Sequence, residues 1–231
     1  VTASNATLSA FSGTGTTYSF TVSPTNQGSV SVSIPQEVAS DSAGNQNVAS
    51  NTLSYTFDSS RPSVILSSNA SSPTNAGILV TASFDEPVSG FGPEKISVVN
   101  GIIEGFLGNG STYVFTVTPL SQGTFSVAVP ENAGQDSAGN KNGASNSLTY
   151  TFDTDRPTLV LSSSTPNPAN STISVTATFN EVVSGFSIED VSVSNGTASN
   201  FSGSGISFSF SVIPSSDGNV NISIAADAAQ D

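Results

Sequence analysis

A motif that recurs three times at constant spacing constrains the fold of this chain more than any other feature. Phe11, Phe106 and Phe201 lie in the related segments LSAFSGTGTTYSFTVSP, IEGFLGNGSTYVFTVTP and ASNFSGSGISFSFSVIP, and consecutive ones are 95 residues apart. The same offset relates further landmarks: Asp41, Asp136 and Asp231; Asn45 and Asn140; Asp58 and Asp153; Arg61 and Arg156; and Glu86 and Glu181. Coincidences at one period, without insertions, predict tandem copies of one structural unit.

The phase of the repeat divides the chain into three copies. Residues 58–152 form one complete copy, residues 1–57 correspond to the C-terminal part of a copy, and residues 153–231 to the N-terminal part of a third. A β-sandwich that is cut inside a copy exposes unpaired strands and half of its core. We therefore expect neighbouring sequence to continue beyond both ends.

Alternating hydrophobic residues and turn signals predict about seven short strands in the complete copy. They are named by letter: A 63–67, B 78–84, C 95–99, D 102–106, E 112–118, F 124–129 and G 147–152. Seven antiparallel strands in about 95 residues are typical of an immunoglobulin-like sandwich. The fold prediction is therefore an all-β chain of tandem immunoglobulin-like β-sandwich repeats.

Composition indicates how the core of such a sandwich must be built. The chain has no cysteine and no tryptophan, so the inter-sheet disulfide and buried tryptophan of antibody domains are both absent. Strand E carries alternating aromatic residues in every copy: Tyr18 and Phe20, Tyr113 and Phe115, and Phe208 and Phe210. We interpret them as core residues rather than as a platform for stacking on carbohydrate.

Charge excludes several classes of function. Lys and Arg number 4 against 17 Asp and Glu, for a net charge of -13, so the chain repels phosphate backbones and anionic lipids, and nucleic acid is not an expected partner. No run of about 18 apolar residues is present to insert into a membrane. Because histidine is also absent, neither a Ser-His-Asp nor a Cys-His arrangement can form. We expect no enzymatic activity.

The motifs FDxxRPxxxLSS, TATFNEVVSGF, VSNGTASNFSGSG, YVFTVTP and DSAGNKNGASNSLTYTF follow one another along the copies. In this order they resemble the bacterial Ig-like repeats found in tandem in large surface adhesins, and the resemblance covers the whole chain. It implies a secreted or surface-displayed array with a spacing or adhesive role. One departure is Gly92-Pro93, where the third copy has Ser187-Ile188, at the entry to strand C.

Alternating strand directions place the linker between copies, the B–C loop and the F–G loop at one pole. That pole collects Asp58, Asp85, Glu86, Asp136 and Asn140 in the complete copy, and Asp153, Asp155, Glu181 and Asp231 in the third. Calcium takes oxygen ligands, so our hypothesis is that calcium binds at each junction and stiffens the array. The alternative is an Asx turn over residues 136–140, pairing of Asp58 and Asp153 with Arg61 and Arg156, and a solvated Glu86.

Asn-x-Ser/Thr sequons occur at Asn5, Asn69, Asn109, Asn170, Asn195, Asn200 and Asn221. Each could carry a glycan in a eukaryotic secretory pathway. Because the family resemblance is bacterial, we favour the interpretation that a chain so rich in Asn, Ser and Thr generates sequons by chance.

The linkers are short, and Pro62 and Pro157 restrict their backbones. Each copy would extend the array by about 35 to 45 Å, from strands of about 7 residues plus loops. We therefore predict a structural or adhesive stalk segment of a long extracellular protein, located at the cell surface, whose partners are neighbouring repeats. The alternative is that the repeats themselves bind glycans or associate laterally in a fibre.

Overall fold

The computed structural model covers residues 1–231, and its regular secondary structure is almost entirely β-strand. It contains 17 strands and two single-turn 3₁₀ helices, Pro93–Lys95 and Ile188–Asp190, which confirms the all-β prediction. None of its helical segments is long and apolar enough to span a membrane. The chain divides into two compact units, Val1–Asp153 and Thr154–Asp231; the first holds the strands of the first and complete copies, the second those of the third.

Residues 1–57 contribute the strands that correspond to C through G. They are β1 (Thr2–Ser4), β2 (Ala6–Thr14), β3 (Thr17–Pro24), β4 (Gly28–Ser33) and β5 (Leu53–Phe57). Strands β2 and β3 form an antiparallel hairpin, and β4 lies between β1 and β5 in a separate three-stranded sheet.

The complete copy contains the seven predicted strands. They are β6 (Val64–Ser67), β7 (Ile78–Phe84), β8 (Ser97–Val99), β9 (Gly101–Asn109), β10 (Thr112–Pro119), β11 (Gly123–Ala128) and β12 (Leu148–Phe152). They form one sheet in the order β6-β7-β10-β9 and a second in the order β12-β11-β8. In letters these are A-B-E-D and G-F-C, the two sheets of an immunoglobulin-like sandwich.

Two strand boundaries differ from the sequence prediction by more than one residue, each for a local reason. Strand C was expected from residue 95, but Lys95 and Ile96 donate backbone N–H bonds to Gly92 and Pro93 at 3.0 and 3.2 Å. Pro93 opens this 3₁₀ turn, where its missing N–H costs nothing. Strand D was expected to end at 106. It continues to Asn109, because Gly105 adopts φ 61° at a bulge and pairing with β10 then resumes.

Alternation of side chains along three strands builds the core of the complete copy. Every second residue of β7, β10 and β11 is buried, namely Ile78, Val80, Ala82 and Phe84; Tyr113, Phe115 and Val117; and Phe125 and Val127. The ring of Phe91 meets that of Tyr113 edge-on, with centroids 4.9 Å apart. Burial of large apolar side chains thus replaces the disulfide and tryptophan of antibody domains.

The third copy repeats this packing with its own core. Its strands are β13 (Leu159–Ser163), β14 (Ile173–Val183), β15 (Val191–Ser194), β16 (Gly196–Pro214) and β17 (Asn221–Ile224). Strand β14 lies between β13 and β16, and β15 pairs with β17. Phe208 and Phe210 are buried, as the core interpretation of the strand E aromatics predicts.

Tyr18 is 53% exposed within residues 1–57, whereas the equivalent residues Tyr113 and Phe208 are buried. In the complete copy, the equivalent Tyr113 is covered by Phe84 and Phe91 from the B strand and its following loop. Residues 1–57 contain no counterparts of β6 and β7, so the inner face of β3 stays open within them. Phe20 on the same face is half-buried.

Shortening Phe115 to alanine tests whether this core holds the complete copy together. Phe115 is fully buried, so Phe115→Ala should lower the free energy of unfolding by about 3 to 5 kcal/mol through lost burial and a residual cavity. Urea unfolding of the full chain, followed by tyrosine fluorescence, measures the change. Leu107→Ala is the control, since Leu107 is 71% exposed; equal effects of the two substitutions would contradict the assigned core.

Candidate metal centre

Three carboxylates lie together where three segments of the first unit end. Asp58 directly follows β5, Glu86 lies just beyond β7, and Asp136 belongs to the loop between β11 and β12. One carboxylate oxygen of each lies within 4.8 Å of the others. The structure therefore brings these predicted residues to one pole, as antiparallel strand order requires.

Asp136 is held by its own loop. Only 4% of the residue is exposed. Its Oδ1 accepts hydrogen bonds from the backbone N–H groups of Ala138 and Asn140, both at 2.8 Å, and its Oδ2 accepts one from Asn140 Nδ2 at 2.9 Å. This is the Asx turn of the alternative interpretation, and Asp41 with Asn45 makes the same turn in the first copy.

Asn140 donates hydrogen bonds to two residues of the acidic group. Besides Asp136, its Nδ2 donates to the backbone oxygen of Asp58 at 3.2 Å. The side-chain amide thus ties the F–G loop to the linker and fixes the direction of the Asp136 carboxylate. Burial raises the pKa of Asp136, but the hydrogen bonds from Asn140, Ala138 and Gly139 outweigh burial and hold that pKa below its ordinary value. Asp136 is therefore ionised at neutral pH.

Asp58 contacts both the first copy and its own linker. Its Oδ1 accepts a hydrogen bond from the backbone N–H of Ser60 at 2.9 Å and another from Gln27 Nε2 at 3.1 Å. Gln27 lies in the turn between β3 and β4. The carboxylate of Asp58 therefore links the first copy to the linker without any bound ion.

The surroundings of Glu86 disfavour its ionised form. Burial, followed by the negative charges of Asp136, Asp58 and Asp85, raises the pKa of Glu86. Adjacent Asp85 behaves oppositely, because the hydroxyl and backbone N–H of Ser63 each donate to it at 2.8 Å and lower its pKa. Glu86 is half-buried, which differs from the alternative that it stays solvated.

Arg61 does not neutralise this group. Its guanidinium contacts Glu131 Oε2 at 3.2 Å and donates to the backbone oxygens of Lys141 and Asn142, both at 2.9 Å. The alternative in which Arg61 pairs with Asp58 is therefore wrong. In the third copy, Arg156 pairs with exposed Asp227 at 3.5 Å.

The donor set suits a hard divalent cation. All three side chains offer oxygen, the ligand that calcium prefers, and calcium takes about six to eight such ligands. The hydrogen bonds to the Asp58 carboxylate use Oδ1, so Oδ2 would be available to a cation. Carboxylates that bind through one or both oxygens, completed by water, would meet this coordination number.

The third copy shows part of the same arrangement. Carboxylate oxygens of Glu181 and Asp231 lie within 4.8 Å of each other. Asp153 directly follows β12, and its Oδ1 accepts a hydrogen bond from Gln122 Nε2 at 3.1 Å. Asp155 belongs to neither group of adjacent carboxylates, because its position corresponds to Ser60, the residue that donates to Asp58.

The sequon asparagines divide into turn residues and exposed residues. Asn5 and Asn195 adopt φ 56° and 55°, and their Nδ2 atoms donate to backbone oxygens of the neighbouring turn at 2.7 and 3.0 Å. Asn200 shares this left-handed conformation, and Asn221 Nδ2 contacts Ser194 Oγ at 3.2 Å. Exposed positions are Asn69, Asn109, Asn170, Asn200 and Asn221. A structural role thus accounts for the nitrogens of Asn5 and Asn195, to which a glycan would attach.

Two further residues of the pole were missed by sequence reasoning. Asn142 is fully buried, accepts from the Gly134 N–H at 2.7 Å and donates to the Pro130 oxygen at 3.1 Å. Gln27 contacts the linker. Both recur at the repeat offset, as Asn47 and Gln122, and this recurrence is the signal that could have identified them.

Comparison with known proteins agrees with the fold. A family described as the bacterial Ig-like domain matches residues 1–57, 58–152 and 153–231. No curated protein matches the sequence. Among solved structures, the chain is similar to invasin, a bacterial integrin-binding protein, with 16% sequence identity and a TM-score of 0.42. The match covers 89% of this chain and 44% of the invasin chain, so this chain spans less than half of that length.

Replacing Glu86 by glutamine tests the electrostatics of the acidic group. Folding raises the pKa of Glu86, so its ionised form destabilises the folded state at neutral pH, and this penalty vanishes as pH falls through the raised pKa. Without divalent cations, Glu86→Gln should therefore increase the free energy of unfolding at pH 7, with a smaller gain near about pH 4.

Asp85→Asn is the matched control for Glu86→Gln. The pKa of Asp85 is lowered by Ser63, so its ionised form contributes stability above its unfolded pKa and loses it as pH falls through the lower folded value. Asp85→Asn should thus destabilise the chain at pH 7. Urea unfolding of both variants in a chelator measures the pair, and a loss of stability in Glu86→Gln would contradict the assignment.

Proposed function

This chain belongs to the bacterial Ig-like domain family, and we propose that it is a stalk segment of a long extracellular repeat protein at a cell surface. In this role the copies provide reach and resist extension, and catalysis has no part. The observation that carries the proposal is the pairing of the first and last segments of the complete copy with each other.

Hydrogen bonds join the A side of the complete copy to its G strand at three places. Asn146 accepts from the Leu66 N–H at 2.8 Å and donates to the Leu66 oxygen at 3.0 Å. Ser72 Oγ accepts from the Thr151 N–H at 3.0 Å. Thr74 donates to the Thr151 oxygen at 2.9 Å and accepts from the Asp153 N–H at 3.0 Å.

The direction of this pairing favours resistance to force. Thr74 and Phe152 form a parallel bridge, and the linkers that would transmit force attach before β6 and after β12. Tension on the two ends therefore pulls the parallel segments past each other along their length. Bonds across such a contact are loaded together rather than one after another, which raises the barrier to forced unfolding.

Removing the Asn146 side chain tests the force path. Asn146→Ala leaves the backbone groups of Leu66 without partners, and Leu66 is only 2% exposed, so we expect a loss of about 1 to 3 kcal/mol and a lower unfolding force for the complete copy. Single-molecule stretching of the full chain measures the force. Asn109→Ala, at an exposed position, is the control; unchanged force in Asn146→Ala would contradict the proposal.

We further propose that calcium binds between Asp58, Glu86 and Asp136 and stiffens the junction. Three crowded carboxylates without a basic partner support this, as does the raised pKa of Glu86. A cation there would remove the repulsion that the carboxylates exert on one another. Glu181 and Asp231 would contribute in the same manner in the third copy.

Thermal unfolding with calcium and with chelator tests the metal proposal. At calcium concentrations of 100 times the dissociation constant, one site should add about 2.7 kcal/mol to the free energy of unfolding. The gain should disappear in Glu86→Gln and in Asp136→Asn. It should persist in Glu94→Gln, which removes an exposed charge elsewhere. Equal stability of the parent chain in calcium and chelator would refute a calcium site.

A surface location can be tested on intact cells of the producing organism. Antibodies against this chain should label unpermeabilised cells, and the label should be lost after external protease treatment. Labelling that requires permeabilisation would contradict the stalk proposal.

A second candidate function is lateral association, and one observation favours it. The outer face of the complete copy carries Leu107 opposite Val114, with Leu79 one strand away; Leu107 and Leu79 are 71% and 62% exposed. At the same positions the flanking copies carry hydrogen-bonded serine pairs, Ser12 with Ser19 and Ser202 with Ser209. An apolar patch on one copy alone suits a contact with a second chain.

Sedimentation velocity distinguishes the two candidates. If the patch mediates association, the parent chain should form dimers or larger species that are lost when Leu107→Ser and Val114→Ser are introduced together. A chain that remains monomeric at high concentration would leave the stalk role as the sole candidate.

A further inference from the structure

We infer that Gln27 fixes the angle between the first copy and the complete copy, by holding the first residues of the linker that joins them. This assignment uses the proposed stalk role only for its biological purpose, since the contacts themselves belong to the first unit. The partner that this glutamine recognises is a linker that begins with aspartate.

A single carboxamide contacts three successive linker residues. Gln27 Nε2 donates to Asp58 Oδ1 at 3.1 Å and also contacts Ser60 Oγ, while Gln27 Oε1 accepts from the Ser59 N–H at 2.9 Å. The contact needs two donor hydrogens and one acceptor on the same side-chain end. Glutamine offers both, whereas glutamate, of the same shape, accepts only.

The turn that presents Gln27 is itself fixed. Gly28 follows with φ 106°, a conformation that favours glycine, and the preceding Asn26 donates its N–H to Asn5 Oδ1 at 3.0 Å. The carboxamide therefore projects from a turn braced by another side chain of the first copy. A fixed turn is what allows one side chain to set an orientation.

Hydrogen bonds also attach the linker to the complete copy. Asn140 donates to the Asp58 oxygen at 3.2 Å, Arg61 reaches the Lys141 oxygen at 2.9 Å, and the Gly143 N–H donates to the Pro62 oxygen at 3.0 Å. These bonds attach the linker to the complete copy along its whole length. Gln27 then supplies the hydrogen bonds from the first copy that stop the joint from rotating.

The hydrogen bond from glutamine to the aspartate that begins the linker recurs at the repeat offset. Gln122 Nε2 donates to Asp153 Oδ1 at 3.1 Å, with the same atoms and the same length as in the first junction. The third copy carries Asp217 at this position, and a carboxylate there would repel an aspartate rather than bind it. The residue at this turn thus determines which linker a copy can hold.

This contact shares Asp58 with the candidate metal centre but does not require a bound ion. It uses Oδ1 of Asp58, and it involves neither Glu86 nor Asp136. A chain that binds no calcium would therefore still carry the glutamine contact, and the two proposals can fail independently.

Distance measurements between two spin labels test the inference. The chain has no native cysteine, so Ser9→Cys and Ser67→Cys, both at exposed positions, place one label on the first copy and one on the complete copy. Pulsed electron–electron double resonance, recorded in the presence of a chelator, should give a single narrow distance distribution for the otherwise unaltered chain.

Three substitutions of Gln27 should abolish that narrow distribution. Gln27→Glu removes the donors and adds a charge facing Asp58, Gln27→Asp introduces the residue of the third copy, and Gln27→Ala removes the contact without adding charge. Gln36→Glu is the control, because it makes the same charge change in the same copy while Gln36 contacts only Glu37.

We expect a broad distribution for all three Gln27 variants and the parent distribution for Gln36→Glu, with thermal unfolding of the complete copy unchanged throughout. A narrow parent-like distribution in Gln27→Ala and Gln27→Glu would overturn the inference. So would a parent chain that is already broad. Neither result would bear on unfolding force or surface location, which are measured within one copy and on cells.

Discussion

The hydrogen bonding of Asp58 is the interaction on which the junction between copies depends. Its side chain accepts from Gln27 of the first copy, and its backbone oxygen accepts from Asn140 of the complete copy. Because both partners occupy turns that are themselves fixed, the linker has little freedom to swivel. In the stalk role that we propose, such a joint would transmit tension from one copy to the next.

The same joint concentrates negative charge, and neighbouring acids respond in opposite ways. Hydrogen bonds from its own loop stabilise the ionised form of Asp136 and lower its pKa. Hydrogen bonds from Ser63 do the same for Asp85. Glu86 has no such compensation, so burial and the surrounding carboxylates raise its pKa. The group is therefore stable enough to persist in the fold, yet it retains an unfavourable charge that a cation would relieve. This combination makes the pole both a mechanical joint and a candidate binding site.

Sequence alone predicted the family, the fold and the meeting of Asp58, Glu86 and Asp136, because strand alternation and a constant period carry that information. It did not predict the pairing of Arg61, since a guanidinium on a flexible chain reaches several oxygens and local spacing favoured Asp58 over Glu131. Gln27 was missed because an exposed glutamine in a turn has no distinctive motif beyond its recurrence as Gln122.

Residues 1–57 and the complete copy should be joined in one orientation, and backbone residual dipolar couplings test that most directly. In a weakly aligned sample, amides of residues 1–57 and of residues 58–152 should fit one common alignment tensor, because a fixed joint makes both copies tumble together. Separate tensors of clearly different magnitude for the two copies would show that the joint swivels, and would contradict the central claim.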